Sequence, residues 1–267
     1  MNYNDRPIGI FDSGVGGVSV LKEALKVLPN ENYIYFGDNK NAPYGSKTEE
    51  EIQQLSLACG EFLIEKNVKA MVMACNTATS AAVRMMRAKY NMPVISIEPA
   101  VKPALEKSYN GDIIVLATEG TINQSRYNKL LERLDASDRV INVPCKGLVT
   151  IIEKGDLNSK ELSEYIRCIF APYHADNVDA VVLGCTHYSF VRDKIKHYLY
   201  DNFHGKRQVY DGNEGTVKQL KRVLDEQGLL STSSKKGKIE FYSSGGPKYV
   251  KLMKKLFNMD YSFLEHI

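Results

Sequence analysis

Two similar stretches, AMVMACNTATS at residues 70–80 and AVVLGCTHYS at residues 180–189, indicate the fold of this chain. Each begins with a continuous apolar run, reaches a cysteine, Cys75 or Cys185, and continues into small polar residues. Continuous apolar runs of this length are typical of strands in a parallel sheet that helices cover on both faces. We therefore predict two buried parallel strands, each with a cysteine directly after its carboxyl end.

The sequence around these stretches alternates between short apolar runs and amphipathic segments. Apolar residues recur in the amphipathic segments at spacings of three and four, which predicts helices and favours an α/β fold of parallel sheets. The predicted strands cover residues 7–11, 33–36, 70–74, 94–97, 112–117, 140–143, 180–183, 208–210 and 238–242. The predicted helices cover residues 18–28, 49–67, 79–89, 124–134, 160–171, 189–199 and 216–226.

The two halves of the chain follow one plan. In each half, a strand that ends in a small polar turn lies upstream of the cysteine strand, and these turns are Asp12-Ser13-Gly14 and Thr118-Glu119-Gly120. A duplicated α/β unit that folds face to face would bring both cysteines to one cleft. We predict two pseudosymmetric parallel-sheet α/β domains with the active site in the cleft between them. The first domain would comprise residues 1–98 and about 207–267, and the second would comprise residues 99–206.

The composition argues against several classes of protein. The chain has 267 residues, 43% of them hydrophobic, and a formal net charge of +3, which is too small to indicate a nucleic-acid partner. No apolar run approaches the roughly 20 residues that a membrane helix needs. The N-terminus lacks the pattern of a secretory signal. We therefore expect a cytoplasmic protein with no membrane or nucleic-acid partner.

The chain has five cysteines, and their positions suggest which are reactive. An odd count without any C-x-x-C pair argues against a disulfide framework and a zinc ribbon. Cys75 and Cys185 each precede a predicted helix, whose N-terminal N–H groups lower the pKa of a thiol and favour the thiolate. A single buried cysteine is usually a small hydrophobic residue, but two at duplicated positions favour chemistry. We expect structural roles for Cys59 and Cys168, which lie on apolar helix faces, and for Cys145.

Polar residues near the two cysteines could assist them. His187 lies two residues after Cys185, and an imidazole there can tune a thiolate and shuttle protons. The same pair could bind a metal ion, but the sequence supplies no further Cys/His cluster, so we expect none. The turn DSGVGG at residues 12–17 offers backbone N–H groups to an anion, although it is neither a dinucleotide fingerprint nor a P-loop. A second turn, PYGS at residues 43–46, adds hydroxyl groups.

Together, these motifs resemble those of the glutamate racemase family, within the aspartate/glutamate racemase superfamily. The resemblance covers essentially the whole chain, and the two cysteine motifs in order, with DSGVGG and PYGS before the first, make it specific. The matching segments are IGIFDSGVGG at 8–17, YFGDNKNAPYGSK at 35–47, ACNTATS at 74–80, VISIEPA at 94–100, LATEGTINQSRY at 116–127, VPCKGLV at 143–149 and LGCTHYS at 183–189.

The resemblance implies a cofactor-independent racemase that interconverts L- and D-glutamate, supplies D-glutamate for peptidoglycan and forms a homodimer. It implies that Cys75 and Cys185 are the two acid/base residues, assisted by Asp12 and His187 respectively. Glu153 matches a position near the family's site. The family's substrate-binding positions correspond to Asp12, Ser13, Tyr44, Gly45, Asn76, Thr77, Thr118, Thr186 and His187.

Several alternatives stay open at the level of the sequence. An aspartate racemase would act on a substrate one methylene shorter, a difference worth only about 1–3 kcal/mol. A cysteine hydrolase would use Cys185 as nucleophile and His187 as base, and would leave Cys75 without a role. A non-catalytic module would bind an acidic ligand without exchanging its α-proton. Any lysine could form a Schiff base with pyridoxal phosphate, although the resemblance implies no such electron sink.

Overall fold

A computed structural model describes residues 3–173, 177–203, 207–257 and 264–265. Its strands are β1 Ile8–Asp12, β2 Tyr33–Gly37, β3 Ala70–Met73, β4 Val94–Ser96, β5 Asp112–Ala117, β6 Val140–Pro144, β7 Val178–Leu183, β8 Gln208–Asp211, β9 Ile239–Ser243 and β10 Leu264–Glu265. Its α-helices are α1 Val18–Val27, α2 Glu49–Glu65, α3 Asn76–Lys89, α4 Val101–Lys107, α5 Glu119–Ile122, α6 Ser125–Arg133, α7 Leu148–Glu153, α8 Lys160–Phe170, α9 Arg192–Asn202, α10 Asn213–Glu226 and α11 Pro247–Phe257.

The strands form two sheets, and every strand pair in the described residues is parallel. The first sheet has the order β10-β9-β2-β1-β3-β4, and the second has the order β6-β5-β7-β8. The order β2-β1-β3-β4 in the first sheet is therefore repeated as β6-β5-β7-β8 in the second. This repeat confirms the predicted fold of two parallel-sheet α/β units built on one plan.

Helices cover both faces of each sheet, which explains the continuous apolar runs. Successive side chains of a strand point to opposite faces, and in β1 Ile8 and Ile10 join the core beneath α1, α10 and α11, whereas Phe11 joins the core beneath α2 and α3. The second sheet is buried in the same way, with one core beneath α7, α8 and α9 and another beneath α4 and α6. A strand buried on both sides has no solvent face that would require alternating polar residues.

Local sequence signals set the start of several helices. Thr48 begins α2 with a capping box, because its hydroxyl accepts from the Glu51 N–H and the Glu51 carboxylate accepts from the Thr48 N–H. The prediction placed the third helix at 79–89, but it starts at Asn76 because Cys75 is its N-cap. The helix predicted at 189–199 is present from residue 192 onward as α9, and the residues before it form a 3-10 segment, Thr186–Val191.

The C-terminal segment differs from the prediction in one respect. The strand near residue 208 was assigned to the first domain, but β8 pairs with β7 in the second sheet, with Val182 opposite Tyr210. The return to the first half therefore begins after Asp211, where α10 packs against α1 and β9 pairs with β2. Within this tail, residues 258–263 and 266–267 lie outside the described part of the chain.

No helix in the described ranges is both long enough and apolar enough to span a membrane.

Candidate active site

The two duplicated cysteines line one small cavity between the sheets. Cys75 lies two residues after β3 and Cys185 two residues after β7, at the carboxyl ends of strands that occupy equivalent places in the two sheets. The cavity has a volume of about 20 Å³, measured as space open to the centre of a water molecule, which is room for about one or two waters. Its lining consists of Ser13, Pro43, Tyr44, Gly45, Cys75, Asn76, Thr77, Thr118, Val149, Gly184, Cys185, Thr186 and His187.

Cys75 is held as a protonated thiol. Its sulfur accepts from the N–H of Ala78 at 3.4 Å, and its S–H donates to the hydroxyl of Ser13 at 3.5 Å. Burial, together with the nearby carboxylate of Asp12, raises the pKa of the Cys75 thiol to about 12. The low pKa predicted from its position before a helix is therefore wrong, because one N–H contact does not offset the loss of water and the adjacent negative charge.

Asp12 joins the two halves of the chain beneath the cavity. It ends β1 and has no exposed surface. One carboxylate oxygen accepts from the N–H of Gly14 at 2.8 Å, and the other accepts from the hydroxyl of Thr186 at 3.0 Å. Burial raises the pKa of Asp12 despite these bonds and the nearby His187. Asp12 does not line the cavity itself, but it fixes Ser13 on one side and Thr186 on the other.

Cys185 belongs to a hydrogen-bonded chain that ends in a carboxylate. Its sulfur lies 3.8 Å from Nδ1 of His187, and Nε2 of His187 lies 3.0 Å from a carboxylate oxygen of Glu153, the last residue of α7. Burial disfavours a charged imidazole, but the bonds to Cys185 and Glu153 outweigh it and raise the pKa of His187 well above its usual value. Burial likewise opposes ionisation of Glu153, yet the bond to His187 and its charge hold the pKa of Glu153 below its usual value. The arrangement is that of a buried imidazolium between a sulfur and a carboxylate.

The glycines of the DSGVGG turn leave space for the hydrogen-bonded residues His187 and Glu153. A Cβ atom on Gly14 would lie 2.5 Å from the Glu153 carboxylate, and one on Gly16 would lie 2.3 Å from Nδ1 of His187. Real Cβ atoms essentially never approach so closely. The glycines therefore permit direct contact between the turn after β1 and the two residues that follow Cys185.

The remaining predicted substrate-binding residues lie around the same cavity. Asn76 and Thr77 begin α3, and the side-chain oxygen of Asn76 is buried without a hydrogen-bond partner. Thr77 bonds through its hydroxyl to that of Thr118 at 3.1 Å, across the two halves. Tyr44 and Gly45 complete this end of the cavity. The structure thus brings together all the predicted site residues, with Asp12 and Glu153 directly behind the lining.

Sequence reasoning missed three lining residues. Pro43 lies in the PYGS turn, and Gly184 directly precedes Cys185, so proximity to a motif could have identified both. Val149 reaches the cavity from α7 and ends the VPCKGLV segment that carries the family resemblance, so proximity to a motif could have identified it too.

The other cysteines lie away from the cavity lining. Cys59 and Cys145 are buried, and burial raises the pKa of both thiols. Cys168 was predicted on an apolar helix face, but it is exposed beside Glu164 and Arg167. Across the described ranges, no group of three or more His, Cys, Asp or Glu side chains is arranged to hold a metal ion.

Comparisons with known proteins agree on one family. The sequence profile of the Asp/Glu/Hydantoin racemase family matches residues 10–220. A glutamate racemase of Clostridium botulinum is 48% identical over 258 residues, which cover 96% of this chain and 98% of that protein. The crystal structure of glutamate racemase from Francisella tularensis in complex with D-glutamate aligns with a TM-score of 0.83 at 30% identity, and covers 99% of this chain and 98% of that one. The structure of Escherichia coli glutamate racemase with L-glutamate and the activator UDP-MurNAc-Ala aligns with a TM-score of 0.82 at 27% identity, and covers 98% of both chains.

Proposed function

The chain belongs to the Asp/Glu/Hydantoin racemase family and is an amino-acid racemase, and we propose that it interconverts L- and D-glutamate through Cys75 and Cys185 without a cofactor. The observation that carries this proposal is that the two cysteines line one small cavity and follow equivalent strands of two similar sheets. Racemisation needs two acid/base groups on opposite faces of one carbon, and a duplicated fold supplies such a pair.

The proposed reaction moves two protons and no net electrons. The thiolate of one cysteine takes the α-proton, so the Cα–H bond breaks and its electron pair remains on the substrate. The thiol of the other cysteine then gives its proton to the opposite face of Cα, where a new Cα–H bond forms. The reverse direction exchanges the two roles.

The surroundings of the sulfurs suggest which cysteine starts as the acid. The raised pKa of Cys75 keeps its proton on the sulfur. Cys185 lies beside His187, whose protonated form is stabilised by that sulfur and by Glu153. We assign the first proton abstraction to Cys185 and the first proton donation to Cys75, for the enantiomer whose α-hydrogen faces Cys185.

The same cavity offers stabilisation for the carbanion. An α-proton of an amino acid is far less acidic than a thiol, so fixed donors must stabilise the negative charge that spreads into the α-carboxylate. The side chains of Ser13 and Asn76 supply such donors in a site with little water, and removing one donor of this kind costs about 3 kcal/mol in other enzymes. Glutamate is several times larger than the space present, so we propose that the two halves separate to admit it.

The remaining proposals rest on the family resemblance. We propose that the product D-glutamate is used for peptidoglycan, that the protein acts in the cytoplasm and that it forms a homodimer. For the domains we propose one unit of residues 1–98 with the segment from 213 onward, and a second of residues 99–212, because β8 belongs to the second sheet.

Proton NMR with L-glutamate in D2O, followed by chiral chromatography, tests the reaction. We expect loss of the α-proton signal and appearance of D-glutamate, after dialysis against EDTA and without pyridoxal phosphate. A requirement for either additive would contradict the cofactor-free mechanism. Exchange without inversion would refute the two-base mechanism, and exchange with aspartate alone would assign the other substrate. If neither glutamate nor aspartate exchanged its α-proton, the alternative of a hydrolase with Cys185 as nucleophile and His187 as base would remain.

A further inference from the structure

Three threonine hydroxyls form a closed triangle beside the cavity. The Oγ1 atoms of Thr77 and Thr118 lie 3.1 Å apart, those of Thr77 and Thr121 lie 3.1 Å apart, and those of Thr118 and Thr121 lie 3.0 Å apart. Thr77 and Thr118 line the cavity, whereas Thr121 lies behind them with 1% of its surface exposed. Thr77 comes from α3 and the other two from the segment around α5, so the triangle spans the two halves of the chain.

The triangle limits what the two lining hydroxyls can do. A hydroxyl group has one hydrogen to donate and can accept two bonds. In a closed ring of three, each hydroxyl donates its hydrogen to the next hydroxyl. Neither Thr77 nor Thr118 then has a hydrogen available for a ligand. To bind an anion through both lining hydroxyls, the ring must open and both hydrogens must turn into the cavity.

Thr121 can supply both of the bonds that this rearrangement leaves open. Its backbone N–H already donates to the hydroxyl oxygen of Thr118 at 3.2 Å, and its own O–H can donate to the hydroxyl oxygen of Thr77. With these two donors behind them, Thr77 and Thr118 both keep a satisfied oxygen while both hydrogens point at the ligand. A buried hydroxyl oxygen without a donor would otherwise cost free energy.

We propose that Thr121 is a positioning residue that directs the hydroxyl hydrogens of Thr77 and Thr118 toward one carboxylate of the substrate. This inference rests on the proposed function, because it takes glutamate as the anion. Thr121 touches no substrate atom. It sets the donor direction of two residues that do, and the same triangle holds the two halves together when the cavity is closed.

The variant Thr121→Val tests this role, because valine keeps the branched shape and the backbone N–H but lacks the hydroxyl. One lining hydroxyl must then either leave its oxygen unsatisfied or withhold its hydrogen from the substrate. We expect KM for glutamate to rise about tenfold, the size of one lost bond to a charged group, with kcat within about twofold because substrate and transition state lose the same contact. Thr121→Ser restores the hydroxyl and should return KM to within about twofold of the wild-type value.

A matched control is Thr216→Val, which removes a buried hydroxyl that donates to the carbonyl of Gly212 at 2.7 Å in α10, away from the cavity lining. It should leave KM unchanged. An equal rise in KM for Thr121→Val and Thr216→Val, an unchanged KM for Thr121→Val, or a failure of Thr121→Ser to restore it would overturn the proposal.

Calorimetric titration with an equilibrated mixture of D- and L-glutamate separates this inference from the proposed function. A wild-type protein that binds glutamate without racemising it would refute the proposed reaction, while the ratio of dissociation constants between Thr121→Val and wild type would still test Thr121. A tenfold ratio supports the role and a ratio near one overturns it. A wild-type protein that does not bind glutamate would overturn both.

Discussion

Replacing Gly16 with alanine tests the contact between the turn after β1 and the residues that follow Cys185. Gly16 does not have a positive φ, so alanine can adopt its backbone conformation and the effect is steric. The new Cβ would lie 2.3 Å from Nδ1 of His187 and 2.5 Å from the hydroxyl of Thr186, where ordinary contacts begin at 3.4 Å. The imidazole must therefore retreat by about 1 Å, the difference between these distances.

The displacement acts on both stability and catalysis. Forcing an extra methyl group into a packed site costs typically about 1–3 kcal/mol. His187 cannot move by this amount and keep both of its bonds, to Cys185 at 3.8 Å and to Glu153 at 3.0 Å. A misplacement of about 1 Å in a catalytic group can cost roughly 100-fold in rate. We therefore expect Gly16→Ala to lose about 100-fold in kcat/KM and to unfold at lower urea concentration.

Circular dichroism at a wavelength sensitive to glutamate chirality measures turnover, and urea unfolding measures stability. The matched control is Gly215→Ala in α10, where a Cβ would meet nothing within 4 Å. Alanine is favoured over glycine within a helix by about 0.5–1 kcal/mol, so this control should keep full activity and gain slight stability. If Gly16→Ala kept kcat/KM within about threefold of the wild-type value, the close contact that we describe would not hold His187 in place.

Three further predictions concern the acid/base pair and the frame that carries it. Cys75→Ala or Cys185→Ala should each abolish racemisation, and retention of more than a few per cent of wild-type turnover by either would contradict the two-base mechanism. The pKa of His187 is raised on folding, so its contribution to stability is complete below about pH 6.5 and is lost as pH rises toward its folded pKa. Urea unfolding from pH 6 upward should show this loss in the wild type and a flatter profile in His187→Gln; parallel profiles would refute it. The fully buried Lys69 donates to Glu31 at 2.5 Å, and Lys69→Met should lower the free energy of unfolding by about 3–5 kcal/mol because it leaves a buried charge unpaired; a loss below about 1 kcal/mol in urea would show that water reaches the carboxylate.

The strands of both sheets could be predicted from the sequence because a strand that is buried on both faces is a continuous run of apolar residues. The strand at 112–117 was predicted with the bounds that β5 has, and the run at 70–74 differs from β3 by one residue. Nothing in a short apolar strand records which sheet it joins, and the strand near residue 208 was therefore assigned to the wrong half. α4, with a proline in its first turn, was not predicted from the sequence.

The candidate site was less accessible to sequence reasoning because its chemistry depends on contacts between distant segments. The helix after Cys75 suggested a low pKa, yet burial and Asp12, 63 residues earlier in the chain, raise it. Glu153 was identified only by family resemblance, since its bond to His187 joins α7 to the turn after β7. The role proposed for Thr121 could be inferred only from the structure, because no sequence pattern records the direction of hydrogen bonds among three hydroxyl groups.

The duplication and its divergence serve different requirements of the proposed reaction. Equivalent strands bring both cysteines to the lining of one cavity, but two identical environments would give two sulfurs in the same protonation state. A two-base racemase needs one thiol and one thiolate at the start of each turnover. In the first half, burial and the carboxylate of Asp12 at the end of β1 together raise the pKa of Cys75. In the second half, the equivalent turn supplies Thr118, and the cysteine is paired instead with His187. These different neighbours favour the protonated form of Cys75 before turnover, and in the proposed reaction each turnover exchanges the roles of the two sulfurs as it inverts the configuration of the substrate.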